Sequence, residues 1–282
     1  MFRSDLLSGK RVLVTGGGTG IGLSLGRRFL GLGAELVICG RREAVLAEAA
    51  SKLTEETGGK VSFRPCDVRD AGQVDELLTW IWQDLGGLDA LVNNAAGNFI
   101  ARSEELSPRA VDAVVGIVLH GSAYATLGCG RRWLSEGRPG TVLSIVTTYA
   151  WTGSAYVVPS AMAKAGVLAM TRSLAVEWGG RGVRLNAIAP GPFPTAGAWE
   201  RLVPKPELAA AFEAKNPLRR PGRHEELANL AAFLLADESG YINGEGVTID
   251  GGEWLQGAGQ FNFIGPLMSE ADWQALKPKK KS

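Results

Sequence analysis

The sequence predicts an α/β fold, a parallel sheet of seven strands with helices on both faces. Two observations predict it. Short β-branched runs alternate with longer helical patterns along the whole chain, the order that a sheet wound with crossover helices requires. Most of those runs are also too apolar to face water, as strands covered on both faces must be. With 282 residues, 45% of them hydrophobic and 21% charged, the chain can bury one large core, so a single domain is expected. No tandem repeat or low-complexity linker divides it.

The elements follow in order. Arg11-Val-Leu-Val-Thr15, Glu35-Leu-Val-Ile-Cys39, Val61-Ser-Phe-Arg-Pro-Cys66 and Leu88-Asp-Ala-Leu-Val-Asn93 read as the first four strands. Helical patterns near 20–32, 42–57 and 70–85 separate them, the third introduced by the capping-type residue Asp70. A long helical pattern over 107–136, introduced by Ser107, leads to the strand Thr141-Val-Leu-Ser-Ile-Val146. A second long helix, 155–179, leads to Val183-Arg-Leu-Asn-Ala-Ile188, and helices near 205–214 and 223–236 lead to Gly246-Val-Thr-Ile-Asp250. The stretch 190–222 holds Pro190, Pro192, Pro194, Pro204, Pro206, Pro217 and Pro221. It reads as loops and a short helix over a site, either a lid or an irregular connection.

Composition narrows the ligand. A formal charge of +1 and a pI near 7.7 leave no broad basic field, which argues against nucleic acid or an anionic membrane as the main partner. A small ligand is expected. Cys39, Cys66 and Cys129 are widely spaced, form no CxxC and leave one unpaired by arithmetic, so core thiols in a reducing, cytoplasmic compartment are expected. The N-terminus reaches a strand within about ten residues, too few for a signal peptide's apolar region. No apolar run approaches the roughly 20 residues that span a bilayer, so a soluble protein is expected. The tail Lys-Pro-Lys-Lys-Lys-Ser reads as a solvated end.

The chemistry-bearing motifs begin at Thr15-Gly-Gly-Gly-Thr-Gly-Ile-Gly22, directly after the first strand and opening a helix. Read alone it is a tight turn. In this context Gly16, Gly17, Gly18, Thr19, Gly20 and Ile21 can bring backbone amides to a pyrophosphate at the positive helix end. The second strand ends in Cys39-Gly40-Arg41-Arg42, with no carboxylate for the adenosine ribose of NAD and two guanidinium candidates for a 2′-phosphate. NADP(H) is therefore the expected cofactor, with Arg41 as the selector, against the alternative that both arginines merely start a solvated helix. Asp67, at a strand end, either accepts from the adenine amino group or caps the following helix. Asn93-Asn-Ala-Ala-Gly97 is a small-residue turn where backbone can run close to the cofactor. In Ser160-Ala-Met-Ala-Lys164, a hydroxyl and an ammonium lie one turn apart on one helix face.

Together these residues resemble the short-chain dehydrogenases/reductases. The match covers Thr15–Gly22, Asp67, Asn93–Gly97, Lys164, Pro190-Gly191 with Thr195, and Asp250-Gly-Gly252, and so spans about residues 10 to 252. The resemblance implies one doubly wound Rossmann-type domain, with 190–222 on the substrate side and 253–282 as a C-terminal extension. It also implies Lys164 on the nicotinamide ribose hydroxyls, Pro190, Gly191, Pro192 and Phe193 along the cofactor, and Thr195 near the carboxamide. Ordinary members carry a tyrosine and an asparagine where this chain has Ser160 and Val118.

One branch shares those departures. The segments NNAAGNFI, TTYAWTGSAYVVPSAMAKAG, IAPGPFPTAGAWERL and INGEGVTIDGGEW are similar to the 2,4-dienoyl-CoA reductases, most of all the mitochondrial-type enzymes. That resemblance implies a displaced tyrosine, Tyr149 at the strand end, working with Asn98 in the β-oxidation of unsaturated fatty acids. It makes Arg69, Phe99, Ser107 and Arg201 candidates for contacting the acyl-CoA. His120, Pro194 and Ala196 depart from the branch's usual residues. Tyr156, eight residues before Lys164, is a competing phenol that matches no spacing used by the wider superfamily.

A physical case stands beside the resemblance. Hydride delivered to the distal double bond of a conjugated dienoyl thioester pushes charge onto the thioester oxygen, and a phenol and a carboxamide aimed at that oxygen form an oxyanion hole. Tyr149 and Asn98 can supply them, while Lys164 and Ser160 can hold a water that protonates the α-carbon. Two other readings stand: a reductase or dehydrogenase of another carbonyl or alcohol, or an NADPH-binding protein without turnover. The long helices 107–136 and 155–179 are apolar on more than one face, which predicts a homo-oligomer, and the resemblance implies a tetramer or dimer.

Overall fold

The computed structural model describes residues 2–195, 206–262, 264 and 267–276. Its strands are β1 (Arg11–Thr15), β2 (Glu35–Gly40), β3 (Val61–Pro65), β4 (Ala90–Asn93), β5 (Gly140–Ile145), β6 (Val183–Pro190) and β7 (Gly246–Ile249). They form one seven-stranded sheet in the order β3-β2-β1-β4-β5-β6-β7. Every pair is parallel. The chain winds outward from β1 to β3 and then returns to start again at β4. The loops leaving β1 and β4 therefore diverge, and a crevice opens at their carboxyl ends.

Strand alternation fills both faces. Val12 and Val14 of β1 point to one side with Leu36, Ile38 and Leu143, where they meet Leu25 and Phe29 of α1 (Gly20–Leu30) and Leu227 and Leu235 of α9 (His224–Leu235). Leu13, Val37, Leu91, Val142 and Leu185 point to the other. There they meet α3 (Ala71–Asp84) through Leu78 and Ile81, α5 (Gly121–Glu136) through Cys129 and Trp133, and α7 (Val158–Gly179) through Trp178. All three cysteines are buried free thiols. Trp133 has no exposed surface, and its indole N–H donates to the Leu88 carbonyl at 2.7 Å. A Cβ at Gly140 would come within 2.3 Å of that ring, so the first residue of β5 has no side chain to spare.

The remaining helices are α2 (Glu43–Thr57), α4 (Pro108–Val115), α6 (Tyr149–Thr152), α8 (Pro206–Lys215), α10 (Glu253–Ala258) and α11 (Glu270–Ala275). Asp70 caps α3 by accepting from the Gly72 and Gln73 amides, and Ser107 caps α4 by accepting from Ala110. The helix expected over 107–136 is continuous but not uniform, because Gly116–His120 is a π turn between α4 and α5. At 29 residues this stretch is long and apolar enough, by length and composition, to cross a membrane, contrary to expectation. In this fold Ala125, Cys129 and Trp133 spend its inner face on the sheet. The second long helix begins at Val158 rather than 155, because Tyr156 holds φ at 67° and Pro159 fits only a helix's first turn. Sequence patterning also missed α6, α10 and α11, each of which is six residues or shorter.

Replacing Trp133 by Ala removes a fully buried ring and orphans the Leu88 carbonyl. We expect it to destabilise the protein by about 3–5 kcal/mol, read as a lower denaturation midpoint at unchanged m-value.

Candidate active site

At the carboxyl end of β1 the chain must turn sharply into α1. Gly16 and Gly20 hold φ at 67° and 54°, a region that favours glycine. The turn is stitched to the neighbouring loop. Thr15 Oγ1 accepts from the Asn94 and Ala95 amides, both at 3.0 Å, and Asn94 Nδ2 donates to the Thr15 carbonyl at 2.9 Å and to the Gly16 carbonyl at 3.3 Å. Thr19, at the N-cap, makes no capping hydrogen bond, and the first turn carries no acidic residue. The positive end of α1 is thus left for an external anion.

At the adenosine-side end of the crevice, Arg41 and Arg42 are exposed beyond β2 with no carboxylate on that strand's end. Asp67 does not cap α3; Asp70 does. Asp67 instead holds Arg69 in a bidentate pair, with Nη2 on Oδ2 at 2.5 Å and Nε 3.0 Å from both oxygens. Those bonds lower the Asp67 pKa, aided by the nearby Arg41 charge, against a smaller effect of burial. The Arg69 stem packs toward Gly116 in the π turn, where a Cβ would lie 3.6 Å from it.

Four expected catalytic residues converge on the far side of the crevice. Tyr149 opens α6, just beyond β5 rather than in the strand end itself. Its hydroxyl lies 3.0 Å from Ser160 Oγ in α7, and Asn98 Nδ2 donates to it at 3.3 Å. Asn98 Oδ1 in turn accepts from the Phe99 amide at 2.9 Å, which fixes the carboxamide's orientation. One turn beyond Ser160, the buried Lys164 ammonium donates to the Ile145 carbonyl at the end of β5. Burial pulls its pKa down from 10.5 to about 8. Val118, where the family's asparagine would stand, is buried in the π turn. Tyr156 is exposed in the loop before α7, and its carbonyl accepts from Ala101 at 3.0 Å.

Other expected residues take different places. Asn93 is buried, with its amide nitrogen on Thr126 at 2.8 Å and Ser144 at 3.3 Å, so its side chain turns away from the crevice. Its neighbour Asn94 braces the glycine turn instead. The Phe193 ring lies in the core above Gly222, where a Cβ would come within 2.3 Å of it, so this residue offers the crevice only backbone. Pro190 ends β6, Gly191 donates to the Ile249 carbonyl, and the Pro192 carbonyl accepts from Gly222. Thr195 sits against Gly20, whose Cβ would meet it at 3.2 Å. That loop is held by His224, with Nε2 2.8 Å from the Pro194 carbonyl and Nδ1 2.7 Å from Ser24 Oγ on α1. Phe99 packs on the cluster of Val114, Val118 and Val167. Ser107 is engaged as a helix cap. Arg201 and Ala196 lie outside the described residues.

Comparison with known proteins agrees with this fold. Residues 16–253 match the family described as "Enoyl-(Acyl carrier protein) reductase". A Bacillus subtilis protein named "Probable 2,4-dienoyl-CoA reductase [(2E)-enoyl-CoA-producing]" is 42% identical over 87% of this chain and 97% of its own. The crystal structure of a short chain dehydrogenase from Bacillus anthracis is 41% identical, with a TM-score of 0.79 over 86% of this chain and 96% of that one. The chain belongs to the short-chain dehydrogenase/reductase family. An Agrobacterium tumefaciens structure described as a "putative 2-deoxy-d-gluconate 3-dehydrogenase" with bound NADP is 31% identical, with a TM-score of 0.82 over 90% of this chain and 99% of that one.

This family binds NAD(P), and the residues here fit such a cofactor. The glycine turn and the uncapped α1 suit a pyrophosphate, and Arg41 suits a 2′-phosphate. Sequence reading overlooked Asn94, His224 and Trp151. Of these, only the paired asparagines at 93 and 94 carried a signal, since two adjacent amides at a strand end cannot both point inward.

Because the folded-state pKa of Lys164 lies below its unfolded value, the unfolded chain binds more protons between about pH 8 and 10.5. Stability should therefore rise with pH across that window. Lys164→Met should also be more stable than the native protein at pH 7, by on the order of 1–3 kcal/mol, as measured by denaturant titration.

Proposed function

We propose that this protein is an NADPH-dependent reductase of 2,4-dienoyl-CoA thioesters, acting in the β-oxidation of unsaturated fatty acids. One observation carries the reading: the hydrogen-bonded run Asn98–Tyr149–Ser160 beside Lys164. A phenol that accepts from the Asn98 amide and the Ser160 hydroxyl keeps its own proton free to donate. A thioester oxygen set against it can also take the second Asn98 N–H, giving two donors where negative charge develops. NADPH, when bound, supplies the hydride. Lys164 binds the ribose hydroxyls, and with Ser160 holds the water that protonates the α-carbon. Arg69, Phe99, Ser107 and Arg201 contact the acyl-CoA. The names of the curated relatives support the substrate class.

Arg41 selects NADPH, an assignment supported by its exposed guanidinium beyond β2 and the lack of a carboxylate there. The three buried thiols suit a reducing, cytoplasmic setting. A homo-oligomer, a tetramer or dimer, is supported by Leu127, Met162 and Val176, large side chains exposed on α5 and α7.

With NADPH and a 2,4-dienoyl-CoA, the purified protein should consume both in equal amounts. Tyr149→Phe should lose about 10²–10³ in kcat while binding NADPH normally; an unchanged rate would remove the phenol from the mechanism. Arg41→Asp should weaken NADPH far more than NADH, measured as the two dissociation constants by nucleotide fluorescence. Equal losses would mean that Arg41 does not select the cofactor.

A further inference from the structure

Tyr149 stands on a very small piece of structure. α6 is four residues long and contains no buried residue, and a single helical turn has almost no stability of its own. What fixes the phenol must therefore come from outside α6. Trp151 makes that connection. Its indole packs on Gly246 at the start of β7, where a Cβ would come within 2.8 Å of the ring. It also stacks on Trp254 of α10, with ring centroids 5.4 Å apart and planes inclined by 21°.

Trp254 is itself held at a defined place. Asp250, just past β7, accepts from the Gly252 amide through Oδ1 and from the Trp254 amide through Oδ2, both at 2.8 Å. Its carbonyl accepts from Asn216 Nδ2 at 2.8 Å. A rigid turn at the sheet's edge thus presents one indole to another, two residues from the hydroxyl that meets Asn98 and Ser160.

We infer that Trp254 is a positioning residue for Tyr149, acting through Trp151, so that the segment after β7 sets the geometry of the oxyanion donor. This rests on the role proposed for Tyr149. Ala150 and Trp151 also pack on the cluster that includes Val118 and Leu168, and the stack adds to that packing a flat partner that favours one orientation of the Trp151 ring. Without it the phenol keeps its chemistry but loses its aim, and a misplacement of about 1 Å can cost on the order of 10²-fold in rate.

The test compares Trp254→Ala, Trp254→Leu, Trp254→Phe and Tyr149→Phe, each assayed for kcat and KM with a 2,4-dienoyl-CoA, for NADPH affinity by fluorescence and for oligomeric state by sedimentation. Trp254→Ala should lower kcat about 10- to 100-fold, with KM and NADPH affinity within about twofold, and Trp254→Phe should restore most of the rate. Added to Tyr149→Phe, Trp254→Ala should cost almost nothing more, since both act on one group. Where Trp254→Ala loses its fold, Trp254→Leu keeps an apolar side chain of intermediate size without the flat face and should still be slow. A normal kcat in a folded Trp254→Ala or Trp254→Leu variant, a loss additive with Tyr149→Phe, or a loss that tracks subunit dissociation would overturn the inference while leaving the proposed function intact. A normal rate in Tyr149→Phe would instead remove the reading on which it rests.

Discussion

The site is measured from the seam between the loops that leave β1 and β4. A parallel sheet wound in two directions must let those loops part, and the parting would leave two flexible edges if nothing joined them. Thr15 and Asn94 join them with four hydrogen bonds between 2.9 and 3.3 Å. One hydroxyl accepts two amides of the β4 loop, and one carboxamide holds two carbonyls of the glycine turn. The same loop continues to Asn98. The glycine turn and the loop that carries Asn98 are thus tied to a common base.

Against that base the fold sets two contrasting environments. Lys164 is buried and loses much of its proton affinity to desolvation, with the Ile145 carbonyl as its partner. Tyr149 is only partly buried and is placed by hydrogen bonds from two different elements. A fully buried phenol with both neighbours committed could not reach a substrate; a fully exposed one could not be aimed. The position just past β5, on a turn of its own, gives the hydroxyl both access and partners. The helix behind it can then carry serine where a tyrosine would otherwise stand.

The fold was largely legible because strands buried on both faces must be written as unbroken apolar runs, and those runs stand out between amphipathic helices. The ends of elements were less so. Helix α6 falls in Thr147-Thr-Tyr-Ala-Trp-Thr152, too short to establish any period, and the π turn at Gly116–His120 has no composition that separates it from regular helix. Side-chain direction was the other limit. Asn93 and Asn94 differ in sequence by one position and in role by a whole face of the strand. Phe193 reads as a cofactor-side residue until Gly222 is found beneath its ring. Asp67 and Asp70 competed for one helix cap, and the residue nearer the helix won it. That Tyr149, Asn98 and Ser160 meet was readable only through resemblance, since no spacing rule links residues 98, 149 and 160.

The imidazole between Ser24 and Pro194 carries an arithmetic of hydrogens. Nε2 faces a carbonyl, so it must bear a proton. In a neutral ring Nδ1 then has none, and it can be satisfied only by taking the single hydrogen of Ser24, which must abandon the Gly20 carbonyl 3.2 Å away. In the imidazolium both nitrogens donate, Ser24 keeps its bond to Gly20, and all three contacts coexist. The ring of His224 thus knits the first turn of α1 to the proline-rich segment beyond β6, and the hydrogen it carries on Nδ1, or lacks there, decides whether Ser24 turns its own toward Gly20 or toward the ring.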